Sequence, residues 1–350
     1  MYKKKKKAER NKRRQDKIMR RLRRKNKRKR IKTKGKQDIN IKRRAEHKVV
    51  SPGHLSLVDN SEETAFFFKM VFEAISKCKK GQSIFFDLSS VTTVTVDAIM
   101  YLIAVINNSR VIKQLDIICR GNVPTNMQAS AMFEDVGFYN YVRRINSSKK
   151  RNKKDDRIKI VNGKEADGEI TSSICDFVNE KIKSADNLAT KRLYPMMVEL
   201  MTNVKQHAYH DRNNNMSARW YAYAEDCKKN IKFVFLDTGV GIPATIRKNW
   251  SERIREGIKG IIGGDSDDPT YIEAALNGEF RTETKQEHRG KGLPEIKNAI
   301  ISADNRLNDL KIVSGHGICT INRFGWIERQ FLETAFEGTL FMWYFDKEAI

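Results

Sequence analysis

Three polar residues recur at every fourth position in the run Glu199-Leu-Met-Thr-Asn203-Val-Lys-Gln-His207. An α-helix turns by about 100° per residue, so a carboxylate, an amide and an imidazole at this spacing share one face. Alone, the spacing also describes the polar outer face of a surface helix. A second run decides between the two: Ile231-Lys-Phe-Val-Phe-Leu236 reads as a buried strand that delivers Asp237 at its C-terminal end, where ligands gather in open α/β sheets. Asp237-Thr-Gly239-Val-Gly241-Ile-Pro243 suits a purine. A buried carboxylate accepts an adenine amino proton, and the two glycines let the backbone approach the ring. A second glycine pair, Gly290-Lys-Gly292-Leu293, opens the apolar-periodic stretch Leu293–Ile300, and backbone N–H groups at a helix start bind phosphate. Gly338-Thr339 completes the set.

In this order the four segments resemble the ATP site of the GHKL superfamily, which includes gyrase, MutL and the histidine kinases. The resemblance covers residues 158 to 346 and is nearest to the anti-sigma-factor serine kinases. It implies that Asn203 holds the Mg²⁺ that bridges the ATP phosphates, that Asp237 reads adenine and that Thr339 supports the adenine pocket. Glu199 then stands where the family's hydrolases and serine kinases polarise a water or a hydroxyl, chemistry a carboxylate beside a metal–phosphate cluster can do. His207 belongs to the same face, with a local polar cap as its other reading. The implied cofactors are ATP and Mg²⁺, and the ATP-binding set is Asn203, His207, Asp237, Gly239, Gly241, Arg289, Gly290, Gly292, Leu293 and Thr339.

Residues 244 to 288 would form the lid over such a site. Glycines at 257, 260, 263, 264 and 278 make this stretch mobile by composition, and Tyr271–Leu276 reads as a short helix within it. Lids of this kind order around nucleotide. Arg289, and less so Arg281, is a candidate for the γ-phosphate, the alternative being an ordinary solvated arginine.

The elements upstream read as a smaller α/β unit over residues 49 to 145. Ser61 to Lys79 reads as a helix, Ser83–Leu88 as a strand, Val96 to Asn107 as a helix, Leu115–Cys119 as a strand, and a further helix runs from Pro124 to near Gly137. With Asp87-Leu-Ser-Ser-Val91 after its strand, this succession resembles the STAS domain of anti-sigma-factor antagonists. The phosphorylated serine of that family aligns with Val96, which cannot accept phosphate; Thr92, Thr93 and Thr95 are the nearby hydroxyls. The resemblance therefore implies a scaffold that docks. The expected architecture is α+β: a disordered basic tail (1–48), a STAS-like domain (49–145), a charged linker (146–157) and an α/β sandwich of the Bergerat type (158–350).

Charge divides the chain. Residues 1 to 48 hold 26 of the 68 Lys and Arg and 4 of the 43 Asp and Glu, and so carry +22 of the net +25. Such a block repels itself and has little apolar surface to bury. Its expected partners are polyanions, nucleic acid first and anionic membrane second, with a solubilising arm as the alternative. No aromatic residue interleaves the basic run Arg20–Arg30, so stacking on single strands is not indicated. No apolar region follows the basic start, as a targeting peptide would need, and the longest apolar run, Ala98–Ile106, is too short to span a bilayer. Five scattered cysteines without a C-x-x-C pair fit free thiols in a reducing cytoplasm rather than a zinc site.

These features imply a Mg-ATP-binding regulatory protein, a slow ATPase or serine/threonine protein kinase acting on a protein partner, with homodimerisation possible in this class. The other readings are a nucleotide-gated switch tethered to DNA or RNA by the tail, and a nucleotide-binding scaffold without turnover. A sensor histidine kinase is disfavoured, because His47 and His54 lie in unsuitable contexts for a phosphoacceptor. A gyrase-like or MutL-like machine is disfavoured by the short stretch after Thr339.

Removing residues 1 to 48 is expected to weaken duplex DNA binding steeply and leave nucleotide affinity unchanged. The log affinity of the full chain should fall linearly with log salt, with a slope of about −0.9 per neutralised phosphate. Titration of the full chain and of a chain starting at Val49 onto duplex DNA and anionic vesicles, at two salt concentrations, checks it. Equal binding by both chains would leave the tail as a solubilising arm.

Overall fold

Apolar residues occupy both faces of β8 (Trp220–Cys227) and β9 (Asn230–Asp237), as expected of strands covered on two sides. The two strands form a hairpin whose turn places Lys228 at φ +61°. β9 also pairs antiparallel with β11 (Ile327–Asp346), which returns from β10 (Leu307–Ile321), while β7 (Arg157–Gly163) lies outside β8. The resulting five-stranded sheet has the order β10-β11-β9-β8-β7. These elements come from a computed structural model that describes residues 46–145, 156–182, 188–207, 218–249, 267–279, 292–301 and 307–347.

One face of the sheet carries Trp220, Ile231, Phe233, Phe235, Phe341, Trp343 and Phe345. Phe233 stacks on Trp343 with ring centroids 5.4 Å apart. Helices α5 (Gly168–Ile182), α6 (Leu188–His207) and α9 (Gly292–Ile301) cover this face. In α6 the stripe Leu193, Met196, Met197, Leu200, Met201 and Val204 has the 3-4 spacing of a buried helical face.

The opposite face, with Tyr221, Tyr223, Val234, Leu236, Leu340 and Met342, shares a second core with residues 46–145. In this second lobe β1 (Glu46–Val50), β3 (Ser83–Asp87), β5 (Ile118–Gly121) and β6 (Arg143–Arg144) form a parallel sheet in that order. A short parallel pair, β2 (His54–Leu55) with β4 (Thr93–Val94), lies apart from it. Helix α1 (Ser61–Lys77) contacts β11, and α2 (Val96–Asn108) contacts β9. Every residue of α2 except Asn107 is buried. A helix apolar on all sides needs cover on all sides, and α2 finds it inside this shared core.

Polar ties fix the junction. Asn107 Nδ2 donates to the Tyr221 hydroxyl at 3.0 Å, and the Glu337 amide donates to the Tyr101 hydroxyl at 3.2 Å. Arg157 spans both lobes, with Glu225 at 2.8 Å and Asp135 at 3.7 Å. The two lobes belong to one compact unit, Ala45–Ile350. The fold is α+β, with a parallel and an antiparallel sheet.

Several elements depart from their sequence-based bounds. The strand expected at Leu115–Cys119 occupies Ile118–Gly121, because Leu115 and Asp116 are spent on a turn with Asp116 at φ +49°. The helix expected from Pro124 is α4 (Met127–Asp135), since the Asn126 side chain accepts the Gln128 and Ala129 N–H groups and caps it there. β1 begins at Glu46, so removal of the basic segment is best ended before that residue. The arrangement of the tail and of residues 146–155 lies outside the described residues.

The shared core predicts one cooperative transition for the full chain. Calorimetry is expected to give a single unfolding peak with equal calorimetric and van't Hoff enthalpies. Two separable peaks would mean that the lobes fold independently of their common core.

Candidate functional site

The pleat of β9 sorts the residues at its end. Ile231, Phe233 and Phe235 face the helices, so Asp237 follows them to that side, whereas Val234 and Leu236 face the second lobe and Thr238 follows them. Thr339 lies directly opposite Asp237 across the β9–β11 ladder and belongs to the same alternation as Phe341, Trp343 and Phe345. The two side chains hydrogen-bond, and the Gly239 amide donates to Asp237 Oδ1 at 2.8 Å. Burial nevertheless pushes the Asp237 carboxyl up to about 6; those two donors pull it partly back.

Close backbone approach shapes this end of the site. Gly241 has φ +86°, and a Cβ there would meet Ser314 Oγ at 2.7 Å and the Gly338 carbonyl oxygen at 3.0 Å. Gly338, at φ +106°, packs its Cα against the backbone of Asp237 and Thr238. Both positions therefore require glycine. Ser314 ties the two segments, accepting the Ile242 amide at 3.0 Å and donating to the Gly338 carbonyl at 2.8 Å. Ser314 was not singled out from sequence, although it precedes Gly315-His-Gly317, a glycine pair like the others.

The second group of expected residues meets where α6 passes the start of α9. Glu199 and Asn203 are both half-buried on one flank of the α6 stripe. A Cβ on Gly292 would overlap the Glu199 carboxyl group, with Cδ at 2.8 Å, so the glycine is what admits this side chain to the helix start. Gly292 and Leu293, the first two residues of α9, have no acceptor within the helix for their N–H groups, while Pro294 has no N–H to satisfy. Burial raises the Glu199 carboxyl above the usual range, and the charge of Glu295 in the first turn of α9 adds to that shift. The backbone of His207 closes α6, while its side chain, together with Arg281, Arg289 and Gly290, lies outside what is described.

The expected lid contributes two described helices, α7 (Ile242–Asn249) and α8 (Asp268–Asn277). Asp267 caps α8 by accepting the Thr270 amide at 3.0 Å, and Pro269 sits in its first turn, so the helix begins three residues before the expected Tyr271. Asp268, buried, pairs with Arg247 of α7 and accepts the His316 amide at 2.6 Å. Arg247 also lies over the Tyr271 ring, 5.0 Å from its centroid. This network ties both helices to β10, and no sequence motif announced it.

Two of the three hydroxyls near Val96 are hydrogen-bonded to backbone, and Thr93 is exposed. Val96 is buried, the Thr95 hydroxyl donates to the Leu55 carbonyl at 3.3 Å, and that of Thr92 to the Gly53 carbonyl at 3.1 Å. Asp87, at the end of β3, is held well below the usual carboxylate range by Lys48, Ser89 and Asn122. All five cysteines are free thiols, and no helix among the described residues is long and apolar enough to cross a membrane.

No protein-family model matches the chain, and comparison with curated proteins gives no significant match.

A carboxyl raised on folding favours the native state below its unfolded pKa, and that contribution is lost as pH rises through the folded value. For Asp237 the window runs from 3.8 to about 6. The variant Asp237→Asn lacks this titration, so its stability relative to the wild type is expected to rise across that window and level off above it. Urea melts at half-unit pH steps check this; a constant difference would mean that Asp237 is not desolvated.

Proposed function

We propose that the chain is a Mg-ATP-binding regulatory protein of the GHKL class, a slow ATPase or serine/threonine protein kinase acting on a protein partner. The observation that carries this reading is the Glu199 carboxyl lying against the backbone of Gly292. It puts a candidate base at a glycine-opened helix start, the kind of backbone that receives phosphate. The pairing of Asp237 with Thr339, on the same face of the sheet, supports an adenine subsite.

In this reading Asp237 accepts the adenine amino proton and Thr339 holds the carboxylate in place. Gly239 and Gly241 let the ring lie against backbone. The N–H groups of Gly292 and Leu293, at the start of α9, would receive phosphate oxygens, and Asn203 would hold Mg²⁺. The residues suit that ion by donor type: the Asn203 amide oxygen is a hard ligand, half-buried one helical turn from the Glu199 carboxyl, and Mg²⁺ held mainly by phosphates and water needs few protein ligands. Bound Mg-ATP supplies the transferable γ-phosphoryl group. Glu199 takes the proton of the attacking water or hydroxyl, a role helped by its raised pKa, which makes it a stronger base once deprotonated.

The lobe over residues 46–145 acts here as a STAS-like docking scaffold and not as a phosphoacceptor. Val96 occupies the aligned acceptor position and is buried.

Calorimetric titration with Mg-ATP tests the assignment. Asn203→Ala is expected to lose the Mg²⁺-dependent part of the affinity and Asp237→Asn the preference for adenine. Glu199→Ala should keep ATP bound while turnover, scored as free phosphate or labelled protein from γ-labelled ATP, falls about 10²- to 10⁴-fold. A well-folded protein that binds no ATP would sink the proposal. Equal turnover in wild type and Glu199→Ala would leave a nucleotide-binding scaffold.

A further inference from the structure

The residue after Asp237 faces the other lobe, and what it meets there is polar. Asn108, the last residue of α2, is fully buried and donates from Nδ2 to Thr238 Oγ1 at 3.2 Å. The Thr238 hydroxyl also accepts the Arg219 amide at 3.0 Å and lies 3.2 Å from the Arg219 carbonyl, to which it donates. A hydroxyl has one proton and two acceptor lone pairs, so these three partners saturate it and leave it a single orientation. The Thr238 amide is held in turn by the Arg219 carbonyl at 2.9 Å. The peptide that follows Asp237 is thereby fixed from the lobe opposite to the proposed ligand.

Packing alone does not account for this amide. Asn108 Oδ1 is buried with no hydrogen-bond partner among the described residues, so the side chain bears a desolvation cost that an aliphatic residue of similar size would avoid. What the amide contributes is polar contact across the junction: the bond to Thr238 and a weaker one to the Tyr221 hydroxyl. Asp237 and Gly239 flank that residue, and their own bond, Gly239 amide to Asp237 Oδ1, depends on how the Thr238 peptide is set.

We propose that Asn108 is a positioning residue of the adenine subsite: through Thr238 it sets the Asp237–Gly239 turn, and the parallel-sheet lobe thereby controls affinity for the nucleotide base. The inference rests on the assignment of Asp237 to adenine. Its direct content is that α2 and the turn move together. A partner that shifts α2 would alter base recognition without touching the phosphate end, where Glu199 and Gly292 meet on the helix side of the sheet.

The test uses the full chain and the variants Asn108→Leu, Asn108→Ala, Thr238→Val, Thr238→Ser and the double variant Asn108→Leu/Thr238→Val. Affinities for Mg-ATP and for magnesium-bound inorganic triphosphate are compared, and amide exchange is followed at Thr238 and Gly239. Asn108→Leu and Thr238→Val are each expected to weaken ATP binding about two- to ten-fold, the range set by one lost hydrogen bond, and to speed exchange at both amides. Triphosphate affinity should stay at the wild-type level, the double variant should be no worse than the poorer single one, and Thr238→Ser, which keeps the hydroxyl, should exchange like wild type. Unchanged exchange at Thr238 and Gly239 in folded Asn108→Leu or Asn108→Ala would overturn the proposal, as would equal weakening of ATP and triphosphate. A wild-type chain that binds no ATP would refute the nucleotide reading and the affinity half of this proposal with it, while the exchange measurement still decides whether Asn108 holds the turn.

Discussion

Two-sided burial of β9 is the constraint on which the rest of the structure depends. A strand covered on one face can slip by a residue only by turning its apolar set to solvent; one covered on both faces must satisfy two cores at once. Ile231, Phe233 and Phe235 fill the helix side, and Val234 and Leu236 fill the side shared with residues 46–145. The pleat then continues past the apolar run. It sends Asp237 toward the helices, beside Thr339, and Thr238 toward α2. One register thus determines where the carboxylate points and which lobe grips the turn behind it.

The glycines convert that register into close backbone packing around Asp237. Gly241 and Gly338 take backbone angles that side chains rarely adopt, and they bring the segment after β9 against the entry to Thr339. Gly292 does the corresponding work on the helix side by admitting the Glu199 carboxyl. The polar groups of the candidate site are therefore presented by regular elements, α6, β9 and β11, while the glycines set how closely the connecting backbone approaches. Precision of this kind suits a site that must hold a ligand at several points along its length.

Much of this was legible in the sequence. The apolar run before Asp237 fixed a strand, the four-residue spacing of Glu199 and Asn203 fixed a shared helix flank, and Gly292 marked a helix start. Long-range packing was not legible. α2 reads as an apolar helix from its composition, but nothing in Val96–Asn108 says that its far side meets a second sheet, and its terminal Asn107-Asn108 reads as an ordinary helix stop. Asp268 is one of three aspartates in the run Asp265-Ser-Asp-Asp268, which says nothing of its partners; only the fold brings Arg247 and the His316 amide to it. Ser314 is polar in an apolar strand, a signal that was available, yet its partners at Ile242 and Gly338 are set by tertiary structure alone.

Electrostatics joins the two ends of the candidate site. Asp237 and Glu199 are both raised by burial, and among the described residues no cation counters either shift. A buried carboxylate without a counter-charge destabilises the folded protein at neutral pH, and a ligand that supplies donors or positive charge relieves that strain. An adenine amino group offers the first at Asp237, and Mg²⁺ held by phosphates offers the second near Glu199. The fold thus holds both carboxyls where donors or positive charge on the proposed ligand would favour their ionised forms. That placement also explains why the carboxylates sit on helix and strand rather than on loops: a loop could turn them out to water, and the pleat of β9 and the packed stripe of α6 do not allow it.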